Sequence, residues 1–83
     1  MNHYLFTARS ITHAQRMART LEQNGVSAYI RRISRGIAGN GCGYTLQVPE
    51  RKFRQAAEAL RNGGVMPVKV FFVTGGKQQE VAL

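Results

Sequence analysis

Apolar residues along this chain switch between two spacings, and the switches divide it into elements. Tyr4-Leu5-Phe6 is a compact aromatic and apolar run that predicts a first strand. Ala14, Met17, Ala18 and Leu21 then fall at i, i+3, i+4 and i+7, the single stripe of an amphipathic helix. Thr12 and Gln15 have the spacing of a capping box, and Asn24-Gly25 is a stop signal, so this helix is expected over about 13–24. Val26 to Ile33 alternates as a half-buried second strand does. The stretch from Ser34 to Gly43 follows neither period, has four glycines in ten residues, and is expected to be a loop. Tyr44 to Val48 alternates again up to Pro49. A second helix is expected on the stripe Phe53, Ala56, Ala57 and Leu60, with Asn62-Gly63-Gly64 as its stop. Val68 to Val73 reads as the last strong strand. Residues 74–83 are expected to form either a flexible tail or an added strand returning through a hairpin turn at Gly75-Gly76.

The two halves repeat. A shift of 39 positions lays Leu21 on Leu60, Gly25 on Gly64 and Val26 on Val65, and carries Ala14 onto Phe53. Two strand-helix-strand units in tandem predict an α+β fold of ferredoxin-like, split βαβ type: a four-stranded antiparallel sheet with two helices on one face. Residues 1–83 are expected to form a single domain, since 83 residues support only one small core.

Charge narrows the function classes. Twelve Lys and Arg, most of them Arg, oppose four acids, for a net charge of +8. There is no Asp, and Glu22, Glu50, Glu58 and Glu80 are dispersed, which leaves little for paired-carboxylate hydrolysis or a magnesium cage. A basic surface of this size calls for an anionic partner such as nucleic acid or a small anion. No run is long enough to span a membrane, the start lacks signal-peptide features, and the chain is expected to be cytoplasmic.

The single cysteine, Cys42, excludes an internal disulfide and a cysteine-rich zinc site. It lies between Gly41 and Gly43 in the glycine-rich loop, so neither neighbour places a side chain over the sulfur. An ordinary thiol is only about 3% ionised at pH 7. Arg31, Arg32 and Arg35 could supply a field that favours the thiolate, and successive amides of the loop, those of Gly41 and Gly43 among them, could form an anion-binding nest. A free cysteine is more usually an inert buried hydrophobe, and both readings of Cys42 stand. His13 is a candidate to pair with it as an imidazolium-thiolate or to be merely a solvated helix-start residue. The spacing of Cys42 with His3 and His13 fits no zinc pattern, and no metal or cofactor is expected.

Phe6, Ser10, Thr12-His13-Ala14, Leu21, Gly25 and the Cys42-Gly43 loop before an alternating strand together resemble a family of small bacterial domains, the selenium/sulfur carrier-like proteins. The resemblance covers roughly residues 4–62. It implies that Cys42 is the carrier residue, holding sulfur or selenium as a persulfide or its selenium analogue. Arg35 and Gly43 would then belong to the loop that presents it. This chain departs from the family pattern where Ser34 or Ile33 stands for a loop-opening Pro, Ala38 for Ser, and Ala18 for a common Glu. The Cys-Pro-x-Pro helix start of established persulfide carriers is absent.

The first functional expectation is therefore a carrier that exchanges sulfur or selenium with donor and acceptor proteins and turns over no substrate of its own. The alternatives are a basic RNA- or anion-binding module and a structural interaction domain that homodimerises through a sheet edge. For RNA, the candidate base-stacking residues are Tyr29, Tyr44 and Phe71 or Phe72. Arg16 and Arg19 on the first helix, and Lys52, Arg54 and Arg61 on the second, would add phosphate contacts.

Overall fold

The computed structural model describes residues 2–32 and 43–82. Their order is β1 (His3–Ala8), α1 (Ile11–Gln23), β2 (Tyr29–Arg32), β3 (Tyr44–Pro49), a 3-10 turn (Glu50–Lys52), α2 (Phe53–Gly63), β4 (Val70–Thr74) and β5 (Lys77–Val81). The strands form one antiparallel sheet in the order β2-β3-β1-β4-β5. The expectation of four strands is thus corrected to five. The extra strand follows from Gly75 and Gly76, whose φ values of 57° and 79° suit a two-residue turn that reverses the chain and pairs Thr74 with Lys77.

Alternation along the strands decides what each face meets. Phe6 and Ala8 of β1, Leu46 and Val48 of β3, and Val70 of β4 pack against Ala14, Met17 and Leu21 of α1 and Ala56, Ala59 and Leu60 of α2. The stripes of both helices therefore lie over the same face. At one side of this core Tyr4 stacks on Phe53 with centroids 4.0 Å apart and meets Phe72 at 4.8 Å, tying β1, α2 and β4 together.

The repeat has a physical counterpart where the two helices end. The Val26 N–H donates to the Leu21 carbonyl at 2.9 Å and the Gly25 N–H to the Glu22 carbonyl at 3.1 Å. In the second unit Val65 donates to Leu60 at 3.0 Å and Gly64 to Arg61 at 3.2 Å. Gly25 and Gly64 adopt φ of 79° and 69°, the left-handed geometry this pair of bonds needs. Val26 and Val65 then turn back into the core beside Leu21 and Leu60.

The start of α1 differs from the expected capping box. Ser10 is the N-cap, its hydroxyl accepting from the His13 N–H at 3.1 Å, and the helix begins at Ile11. The reason is steric economy of the connection: β1 runs to Ala8, and only Arg9 and Ser10 separate it from the helix, so the residue in extended geometry at that corner is Ser10.

Candidate functional site

The candidate loop is rooted at one end of the sheet, and the strand register says what shares that end. Arg32, the last residue of β2, pairs with Tyr44, the first of β3, and Tyr44 in turn pairs with Ala8, the last of β1. Past Ala8 the chain passes through the exposed Arg9 to the capped N-terminus of α1. The segment 33–42 thus connects two strand ends that border the start of a helix. Gly43, the residue after Cys42, has φ of 147°, a conformation in which a Cβ would be strained. Cys42, Arg35 and Gly41 themselves lie outside the described residues.

Arg31 and Arg32 both end β2 and are exposed, yet alternation sends them to opposite faces. Arg32 shares the helix-covered side with Ile30, whereas Arg31 lies beside Thr45 on the other side. The positive end of the α1 dipole and Arg32 therefore border the loop's roots from the helix side, with Arg31 on the far side.

His13 makes two bonds. Its Nδ1 accepts from the Arg9 N–H at 3.2 Å, and its Nε2 lies 3.0 Å from the Met66 carbonyl, to which it can only donate. In that network Nδ1 is the acceptor and Nε2 the donor. The ring clips the start of α1 to the connection between α2 and β4. Among the described residues no group of His, Cys, Asp or Glu side chains is placed to hold a metal ion.

The candidate stacking aromatics are divided between the two faces. Tyr44 packs against the core and Phe72 against Tyr4, both on the helix side. Tyr29 and Phe71 lie on the helix-free face in one cross-strand row, Tyr29, Gln47, Leu5 and Phe71, which puts them about 14 Å apart at ordinary strand spacing. Tyr29 is 73% exposed, while Leu5 between them is buried. Phe71 is partly buried and is opposed by Glu80 of β5, an acid unsuited to a phosphate backbone.

Sequence reasoning missed a groove of about 430 Å³ between α1 and β2, lined by Gln15, Ala18, Arg19 and Glu22 on the helix and by Ser27 to Ile30 on the strand side. A smaller hollow over Thr12, Gln15, Arg16 and Arg19 lies next to it along the same helix. The only advance signal was the pair Arg16 and Arg19, one turn apart on a face the apolar stripe leaves to solvent.

The chain matches the family described as "Putative Se/S carrier protein-like" over residues 3–71, and it belongs to that family. The match runs from β1 into β4 and stops short of β5. No curated protein and no solved structure matches the chain. Among the described residues no helix is long and apolar enough to cross a membrane.

Proposed function

We propose that this protein is a sulfur or selenium carrier that works through Cys42, and that it serves as a relay partner and not as a turnover enzyme. The observation that carries this reading is the family match over residues 3–71, which includes the cysteine loop. The surroundings support it: Arg32 and the start of α1 border the strand ends that segment 33–42 joins, and partial positive charge there would favour a thiolate. Arg31, Arg35 and the amides of Gly41 and Gly43 would complete that field.

Transfer needs no external oxidant. The Cys42 thiolate attacks the outer sulfur of a donor persulfide, a new sulfur-sulfur bond forms at Sγ, and the donor's inner sulfur leaves as a thiolate. The reverse step at an acceptor thiolate restores the free cysteine. Selenium would be carried in the same way, as the outer atom. His13, with both ring nitrogens bonded, acts in this reading by holding the start of α1 in position.

The strand order β4-β1-β3-β2 supports reading the frame as a ferredoxin-like sandwich extended at one edge by β5. We place the protein in the cytoplasm, where a single free thiol stays reduced.

The test is intact-mass analysis after incubation with a cysteine desulfurase and cysteine. The expected result is a thiol-sensitive gain of one sulfur on the native protein and none on Cys42→Ala. Failure of the native protein to acquire it would overturn the reading. A pH series of iodoacetamide labelling should place the midpoint for Cys42 below the ordinary thiol range.

A further inference from the structure

The two outer edges of the β4-β1-β3-β2 sheet are treated differently. In the second unit the outer edge of β4 is filled by β5, and Val81 packs against the core from there. In the first unit no described residue pairs with the outer edge of β2, although the same strand-helix-strand arrangement borders it. In place of a strand there is the 430 Å³ groove between α1 and β2. Ala18, Ala28 and Ile30 along it are only partly buried and pack against the core from the side, so an inserted side chain would find apolar contact.

From this asymmetry we infer that the β2 edge is a docking site for an extended segment of a partner protein, which adds as a further strand between β2 and α1. The segment is apolar at its middle, to meet Ala18 and Ile30, and acidic at the end that meets Arg32 on the groove side and Arg31 on the other. Charge selects this occupant. Arg19 lines the groove and Arg16 the hollow beside it, and Arg32 ends β2 on the same side, while Glu22 is the acid among the lining residues. A second copy of this chain would bring the same positive charge to the groove and so does not complement it. The inference does not depend on the thiol or on sulfur transfer.

The experiment measures fluorescence anisotropy of a labelled peptide, Glu-Glu-Val-Thr-Val-Glu-Glu, with the full chain. Its controls are a counterpart with Lys for every Glu and an acidic peptide N-methylated at the three central residues. The acidic peptide is expected to bind, the basic one not to, and the N-methylated one to lose about tenfold or more because strand addition needs its amides. Arg19→Glu should weaken binding by about tenfold, and Cys42→Ser should leave it unchanged. Equal binding of the N-methylated peptide would reduce the contact to nonspecific charge and overturn the inference, as would equal binding of both charge types or binding of none. Sedimentation should find the free protein monomeric, and a dimer that the acidic peptide displaces would give the edge to a second copy and also overturn it. The peptide series uses native protein only, so the result stands even if a variant folds poorly.

Discussion

Gly63→Ala isolates the contact that sets how closely α1 and α2 cross. Gly63 closes α2 in ordinary helical geometry, so its cost is not one of handedness. A Cβ there would come within 2.9 Å of the Thr20 Cγ2 on α1, with the Thr20 Oγ1 at 3.6 Å and Cβ at 3.9 Å. Two opposing quantities follow. Replacing a helical glycine by alanine gains at most about 1 kcal/mol in helix propensity. Forcing a methyl group into a contact nearly 1 Å too short costs about 1–3 kcal/mol of overpacking. In the native background the second should win or nearly cancel the first, leaving the protein up to about 2 kcal/mol less stable. In a Thr20→Ala background the nearest remaining atom is the Thr20 Cβ position at 3.9 Å. That is ordinary van der Waals contact, and the same substitution should then stabilise. The coupling between the two positions is therefore expected to be about 1–3 kcal/mol, well above the few tenths seen for independent sites. Urea unfolding of the four proteins measures it as midpoint shifts at constant slope. If Gly63→Ala shifts the midpoint equally in both backgrounds, the helices do not cross at this contact and the packing argument is wrong.

Two further outcomes test how the site end of the sheet is built. Ser10→Ala should cost about 1 kcal/mol by removing the acceptor for the His13 N–H, whereas Thr12→Ala, inside the helix, should change stability by less than about 0.5 kcal/mol; thermal melts of the two variants separate the two capping schemes. His13→Ala should lower stability by about 1–2 kcal/mol through loss of its bonds to the Arg9 N–H and the Met66 carbonyl, and amide exchange at Arg9 should speed up; unchanged exchange there would mean the clip does not hold the start of α1.

Local pattern carried much of this fold. The stripes at Ala14, Met17 and Leu21 and at Ala56 and Leu60 were readable because helical period and burial coincide. The repeated stop before Val26 and Val65 was readable because left-handed geometry favours glycine. The strands were placed less well: β2 begins at Tyr29, three residues after Val26, because Val26 is used to close the helix and not to pair. The Gly75-Gly76 signal indicated a turn but could not say whether a strand would follow it, since β5 is almost wholly polar and depends on β4 for its partner.

For the candidate site, residue types were legible and their sides were not. Arg31 and Arg32 are adjacent in sequence, and alternation in a paired strand separates them onto opposite faces. Tyr44 and Phe72 looked like exposed aromatics and are packed on the helix side, because register and strand order, not local composition, decide which parity faces the helices. His13 was legible as a helix-start residue, but not the reach of its ring to the Met66 carbonyl 53 positions away.

The amino-acid order alone determined the charge, the single thiol and the family, and also the two helices and their matching ends, which depend on neighbours within a few residues. Tertiary structure alone decided the fifth strand, the faces of the arginines and aromatics, and the groove beside β2. Each of these depends on which strand lies next to which, and that pairing is set by contacts between residues tens of positions apart, whose energies no short window contains.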